Sequence, residues 1–430
     1  MKQLFKFCVS FFLGLLARAV VRRYRPKVVM VTGSVGKTST KDAVASVLVS
    51  RFLVRKSEKS FNSEFGVPFT ILGVSNPWHD TFAWLTVFRR AFALLFLPNH
   101  YPNLLVLEVG SGKPGDLAHI LRIVTPDIVV VTCLPEIPVH VETYASPEAV
   151  REEEFSPAFA LATSAPLIIP IDDPYTLTSA RRTSAHVITY GTAPDAVVCV
   201  KQGGFFEENK KVLGMKADIE VTSPSIHAGE KGTVVVKGSI GSAQLLPAAA
   251  AIAVGLALDI SLAESLTALE AYEPPPGRGR LLRGVRNSVL IDDSYNASPA
   301  AVEQALATLQ IFPHAKRRVA VLGDMLELGR YSIIEHQRIA AVADAAVDLV
   351  VAVGIRARAF TALSHHAQVI HFDTARAAAE TFPDLVQEGD VILIKGSQSI
   401  RTERIVEALL FDPADRALLV RQEKAWKKRG

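Results

Sequence analysis

Lys27-Val-Val-Met-Val-Thr-Gly-Ser-Val-Gly-Lys-Thr-Ser39 is the stretch from which the fold is read. Lys27 to Thr32 is a β-branched apolar run, fit for a strand buried on both faces of a parallel sheet. Gly33 to Thr38 is a turn, and Lys37 to Phe52 reads as a helix. A strand, a glycine turn and a helix in that order make an anion site. The backbone N–H groups of Gly33, Ser34, Val35 and Gly36 wrap a phosphate, and the helix start at Lys37, Thr38 and Ser39 adds a favourable dipole. Lys37 reaches the β- and γ-phosphates of a nucleotide, and the Thr38 hydroxyl is placed for Mg²⁺. The spacing, G-x-x-G-K-T, is shorter than the commonest form of such a loop. An ordinary glycine turn with a solvated lysine is the bland alternative, and the flanking strand and helix weigh against it.

Outward from the loop the same rhythm repeats. Leu104–Gly110, Asp127–Leu134, Ala165–Asp172 and His186–Gly191 are short apolar strands with helical stretches between most of them, which predicts βαβ units around a parallel sheet. From about Asp195 the pattern turns to antiparallel strands, predicting a small β-rich insertion over about 195–242. Two helical stretches follow, Leu245–Leu258 and Leu262–Tyr272. Glu273-Pro-Pro-Pro-Gly-Arg-Gly-Arg280 cannot continue a helix and reads as a hinge over 273–280. A second strand–helix series over 281–430 predicts a C-terminal Rossmann-like α/β domain. The whole is expected to be α/β: a phosphate-loop domain over 27–272 with a parallel sheet, the hinge, and a second three-layer domain.

Charge is unevenly placed along the 430 residues. The net charge is +4, but residues 1–27 carry seven basic residues and no acid, and residues 421–430 carry a net +4. The chain between them is acidic, which excludes a general nucleic-acid binder. Composition, 49% hydrophobic and 21% charged, excludes disorder and a polytopic membrane protein. Cys8, Cys133 and Cys199 are scattered and lack zinc spacing, as expected in a reducing compartment. Phe7 to Ala17 is uncharged but too short to span a bilayer. Three readings stand for residues 1–26: a helix lying on a membrane surface, a helix packed on the body, and a secretory signal.

Two further features narrow the chemistry. Asn62-Ser-Glu-Phe-Gly-Val-Pro68 is a polar loop, and Glu108 ends a buried strand beside Gly110 and Gly112, at the carboxyl edge where ligands bind in such sheets. A carboxylate there suits a metal ion, although solvated acids also end strands.

These residues resemble the Mur ligase family. TGSVGKTSTKD, NSEFGVP and LEVGSGKPGDLA match its central ATPase domain in order, and PPPGRGR, IDDSYNASP, VAVLGDMLELG and ILIKGS match its C-terminal domain. DSYNASP and LGDMLELG favour the branch that adds D-alanyl-D-alanine to a UDP-linked muramoyl tripeptide over the folate-polyglutamate branch. The resemblance implies a cytoplasmic ATP- and Mg²⁺-dependent ligase that makes an amide through an acyl phosphate. It implies that Lys37 holds the β/γ-phosphates and that Thr38, Glu108 and His140 bind metal. Arg278 would reach the γ-phosphate from the C-terminal domain, Asp293 with Tyr295 and Asn296 would lie at the ribose, and Lys395 and Ser397 would line the cleft. Asp292 is ranked below Asp293. The bland alternatives remain a satisfied histidine at His140, linker caps at Arg278 and Arg280, and solvated strand-end acids.

The sequence departs from the family at three places. Only 26 residues precede the first strand, where the family has a sugar-nucleotide domain, so a lipid-linked acceptor is an alternative and a basic apolar helix could bring the enzyme to the membrane. The family's carbamylated lysine falls on Glu154, or on Glu153 if the register slips; a glutamate supplies a carboxylate directly. The family's His-Asn pair near adenine falls on Ala243 and Gln244, and Cys133 stands where asparagine is usual. The rival readings are a ligase of another substrate class and a membrane-associated nucleotide-binding protein without catalysis. Oligomeric state is left open by the sequence.

Overall fold

Alternate residues of Lys27–Thr32 (β1) enter two different cores. Val29 and Val31 join one apolar cluster, and Val28 and Met30 join another on the opposite face. That is the period-two signature of a strand covered on both sides. The computed structural model describes residues 2–58, 61–77, 81–363, 366–423 and 426.

The first sheet contains Val54–Lys56 (β2), Leu104–Glu108 (β3), Ile128–Val131 (β4), Pro166–Pro170 (β5), His186–Gly191 (β6), Val198–Glu208 (β7), Lys211–Val221 (β8) and Lys231–Lys237 (β9) beside β1. Its order is β2-β3-β1-β4-β5-β6-β7-β8-β9 among the described residues. Neighbours from β2 to β7 are parallel, and β7-β8-β9 are antiparallel. The residues read as an insertion thus continue the central sheet. They do so through a hairpin longer than expected, turned at Asn209 and Lys210 with φ of 50° and 62°, the mirror-image turn that matches strand twist.

Helices Lys2–Tyr24 (α1), Lys37–Leu48 (α2), Gly66–Leu72 (α3), Thr81–Phe96 (α4), Asp116–Ile123 (α5), Pro147–Phe159 (α6), Pro174–Ala180 (α7) and Ser242–Leu256 (α8) cover this sheet. On one face α2 and α8 pack together over Val29 and Val31. On the other, α1, α3, α4, α5 and α6 lie over Val28 and Met30. Of the three readings of residues 1–26, packing on the body describes one side of α1: Leu13, Ala17 and Val20 are buried in that second cluster. Burying a leucine and a valine contributes roughly 1.5–3 kcal/mol each. The other side leaves Phe11, Phe12 and Leu15 about half exposed. No described helix is long and apolar enough to cross a membrane.

The second sheet holds Arg280–Arg283 (β10), Val289–Asp293 (β11), Arg317–Gly323 (β12), Leu349–Val353 (β13), Gln368–Phe372 (β14) and Asp390–Lys395 (β15), in the order β10-β11-β15-β12-β13-β14 among the described residues. Among the described strands of this sheet only β10, which leaves the hinge, pairs antiparallel. The carboxyl ends of β1 and β3 align, Val31 opposite Glu108, and in the second sheet Asp293 lies opposite Lys395.

Candidate active site

The phosphate loop is held open by glycine. Gly33 and Gly36 have φ of 115° and 90°, conformations an L side chain strains to adopt, and Gly36 caps α2. Behind the loop, Ser34 N–H donates to the Cys133 carbonyl at 2.9 Å, and Val35 bridges Cys133. Cys133 therefore braces the loop through its backbone, while burial pushes its thiol up to about 12. Ser39 offers its carbonyl to the Tyr272 hydroxyl at 3.2 Å. Lys37 folds back on its own loop, donating to the Gly33 and Ser34 carbonyls.

Two buried carboxylates lie under this loop. Glu108 is 1% exposed, and among the described residues its Oε2 has no hydrogen-bond partner. Its Oε1 accepts from Asn62 Nδ2 at 3.4 Å, which is what the Asn62–Pro68 loop contributes. Burial raises the Glu108 carboxyl above its ordinary range, opposed by Lys41, Lys37 and Arg278 and by the Thr38 hydroxyl beside it. Glu154, on α6, is also 1% exposed; its carboxylate accepts from the Ser34 hydroxyl and lies 3.9 Å from Lys37 Nζ. Burial raises it too, opposed by Lys37, Ser34 and His140. Glu153 faces elsewhere, taking the N–H groups of Gly115 and Leu117 at 3.1 and 2.9 Å at the start of α5. Lys41, one turn beyond Lys37, was not singled out from the sequence. It is buried, donates to the Ser57 carbonyl at 2.8 Å and adds positive charge at Glu108. Its i, i+4 spacing from Lys37 was the available signal.

Arg278 joins this cluster to the second domain. Its Nη2 is 3.4 Å from Thr38 Oγ1, and its guanidinium sits 4.0 Å from the ring centre of Tyr295. Its carbonyl accepts from Ser239 Oγ and Gln244 Nε2 at 2.6 and 2.8 Å. The carbonyl of Arg278 is thus fastened to the central domain, while Gly277 before it accepts from Tyr295 N–H and Arg280 after it enters the C-terminal sheet. Gln244 lies in the first turn of α8 beside Ala243 and serves the hinge in this way. Arg280 is the first residue of β10 and donates to the Pro274 carbonyl.

Across the cleft, Asp293 pairs with Lys395 at 2.6 Å, and Lys395 also donates to the Asn296 carbonyl at 3.1 Å. Ser397 Oγ accepts from Leu326 N–H and donates to the Ala297 carbonyl. Asp292 is buried beneath, bonded to Ser294, with its carboxyl pushed up to about 6 by burial. Arg421, read from sequence as part of a basic tail, is buried. It pairs with Glu403 at 2.8 Å and donates to the Ser294 and Tyr295 carbonyls, bracing the loop that carries Tyr295. Its distance in sequence from its partners left no signal. The remaining basic residues of that tail, Lys424 and Lys427 to Arg429, lie outside the described residues.

His140 has a φ of 66° and its Nδ1 lies 2.7 Å from Glu327, in the GDMLELG segment. This cross-domain pair holds Glu327 below the usual carboxylate range. His140 also adds charge at Glu154. The structure therefore brings Lys37, Thr38, Glu108, Glu154 and Arg278 together at the loop and sets His140 at their edge. Asp293, Asn296, Lys395 and Ser397 form the opposite wall. Among the described residues, no three His, Cys, Asp or Glu side chains already converge as a metal cluster.

Comparison with known proteins matches both domains. The family model of the Mur ligase middle domain covers residues 89–254, and that of the Mur ligase glutamate ligase domain covers 277–398. The UDP-N-acetylmuramoyl-tripeptide–D-alanyl-D-alanine ligase of Bacillus subtilis is 27% identical over 413 residues, 93% of this chain and 79% of that protein. The enzyme of the same name from Mycobacterium leprae is 29% identical over 422 residues, covering 90% and 74%. Among solved structures, the MurF ligase of Thermotoga maritima in complex with ADP superposes with a TM-score of 0.76 at 25% identity, covering 93% of this chain and 83% of that one.

Proposed function

The chain belongs to the Mur ligase family, and we infer from its cleft how it acts as an ATP-dependent ligase that joins a carboxylate to an amine in peptidoglycan synthesis. The acceptor is a UDP-linked muramoyl tripeptide and the amine is D-alanyl-D-alanine, the substrates in the relatives' names. The observation that carries the reading is the pair of buried carboxylates, Glu108 and Glu154, beneath a phosphate loop whose cations are Lys37, Lys41 and Arg278.

In the proposed reaction the acceptor carboxylate oxygen attacks the γ-phosphorus of ATP, giving an acyl phosphate and ADP. The amine then attacks the acyl carbon, and inorganic phosphate leaves with the C–O electron pair. The protein's part is positioning and charge neutralisation. Lys37 turns from the Gly33 and Ser34 carbonyls to the β/γ-phosphates. Arg278, anchored through its carbonyl, spreads its guanidinium beside Thr38 toward the γ-phosphate. Gly33 to Ser39 wrap the phosphates, and Asp293 and Asn296 face the ribose from the opposite wall. ATP use places the reaction in the cytoplasm, and residues 1–26 provide a peripheral contact with the membrane's inner face.

The donor set fits Mg²⁺. A buried carboxylate oxygen without a partner, beside a threonine hydroxyl, is a hard oxygen site, and Glu154 adds a second carboxylate 3.9 Å from Lys37 Nζ. Thr38 and Glu108 would hold one ion, and His140 with Glu154 a second. Bound there, Mg²⁺ supplies charge neutralisation for the phosphates. With Nδ1 bonded to Glu327, His140 would hold that second ion through Nε2.

The test is ADP release from ATP that depends on both the tripeptide acceptor and D-alanyl-D-alanine. Lys37→Ala is expected to lower it about a thousandfold with the circular dichroism spectrum retained. Ligation that persists in Lys37→Ala would overturn the mechanism, and ATP binding with no amine-dependent turnover would overturn the substrate assignment.

A further inference from the structure

Helix α4, TFAWLTVFRRAFALLF, is apolar on both of its faces. Val87, Ala91 and Leu94 are buried in the cluster beneath it. On the opposite side, Leu85, Arg89, Phe92 and Phe96 follow one another at spacings of four, three and four residues, which keeps them on a single exposed stripe. Leu85 is 70% exposed, Phe92 52% and Phe96 72%, and the two phenylalanine rings stack 6.1 Å apart. A solvated helix face is ordinarily polar, so a contiguous apolar stripe marks a contact surface.

The charge around the stripe indicates its partner. Neither α4 nor α1 contains an aspartate or glutamate. Arg89 lies within the stripe. The Arg23 guanidinium of α1 bonds the Leu95 carbonyl, and Tyr24 bonds the Leu94 carbonyl at 2.8 Å, which brings the basic end of α1 to the Phe92–Phe96 end of α4. Arg18 and Arg22 are exposed on α1, while the chain between the two basic termini is net acidic. A twofold pairing of this face with a second copy would set Arg89 near its own equivalent with no carboxylate of either helix to oppose it. Aromatic side chains with arginines around them and no acid are the pattern of a surface that sinks into the headgroup region of an anionic bilayer.

We propose that the outer face of α4, together with the basic end of α1, seats the protein on an anionic lipid surface. This deepens the membrane contact assigned to residues 1–26 by adding a second helix, and it is independent of the ligase chemistry. The experiment is co-sedimentation of the full chain with vesicles of equimolar phosphatidylglycerol and phosphatidylcholine, and with vesicles of phosphatidylcholine alone, at low and raised salt. The full chain is expected to bind the anionic vesicles, and less so as salt rises. Phe92→Glu with Phe96→Glu is expected to weaken binding at least about tenfold, and Arg89→Gln about fivefold, with amine-dependent ADP release unchanged. Arg89→Gln removes an exposed charge only, so it reports even if the double variant misfolds. Undiminished binding in both variants overturns the proposal. Loss confined to Phe11→Ser with Phe12→Ser overturns the role of α4 while leaving the residues 1–26 reading intact. A dimer in light scattering that Phe92→Glu with Phe96→Glu dissociates, without vesicle binding, assigns the face to a second copy and overturns it as well.

Discussion

Each sheet ends one of its parallel strands in a carboxylate near lysine, and the two carboxylates are treated in opposite ways. Asp293, at the end of β11, is bound to Lys395 at 2.6 Å. Glu108, at the end of β3, faces Lys37 and Lys41 without an equivalent bond, and one of its oxygens has no partner among the described residues. The first pair is electrically at rest. Burial opposes charge on the second group, so a carboxylate there is sustainable only where something else offsets the cost. In the proposed reaction the central domain's carboxylate is the one open to an incoming cation, and the C-terminal domain's, paired with Lys395, is the one beside the ribose.

The sharpest way to break that contrast is to neutralise each group in turn. Glu108→Gln should lower kcat for ligation by about 10²–10³ while leaving the melting temperature unchanged or higher, because a poorly compensated buried charge is removed. Asp293→Asn should instead cost about 3 kcal/mol in denaturant unfolding, because Lys395 is left buried with the Asn296 carbonyl in place of its carboxylate. If the two variants lose stability alike, the contrast fails.

Asp292 sharpens it on the pH axis. Burial raises this carboxyl to about 6 from its ordinary 3.8, so the folded state keeps a proton that the unfolded chain gives up near pH 4. Between those values the folded state binds more protons, and stability falls as pH rises through the window. Asp292→Asn should abolish that fall, on the order of 2 kcal/mol in unfolding measured at pH 4 against pH 7. A smaller effect is expected at Glu154. Glu154→Gln should raise the Mg²⁺ concentration needed for half-maximal ADP release about tenfold, and an unchanged Mg²⁺ titration would remove Glu154 from the ion's surroundings.

Much of this was legible in the residues. The unbroken apolar run Val28, Val29, Met30 and Val31 announces a strand covered on both faces, and the glycines flanking Ser34 and Val35 announce the loop. Local patterns suffice for such elements because the forces that form them act within a few residues. The hairpin around Asn209 was missed in length because its outer part alternates weakly, and β10 was missed because four residues after a glycine-rich hinge carry little periodicity. Glu154 was singled out by family spacing, but its burial depends on how α6 packs beside the loop. Arg421 depends on contacts 126 and 127 residues away, which no local pattern records.

The fastening of the Arg278 carbonyl to Ser239 and Gln244 bears on the order of events in turnover. An arginine delivered by the moving C-terminal domain would meet the nucleotide only on closure. An arginine tethered to the central domain is already present at first encounter, so ATP is expected to be captured before the acceptor and independently of domain position. Tyr295, stacked on that arginine from the C-terminal domain, is the ring whose signal would report a movement of that domain, and an ordered mechanism with nucleotide first is the expected outcome.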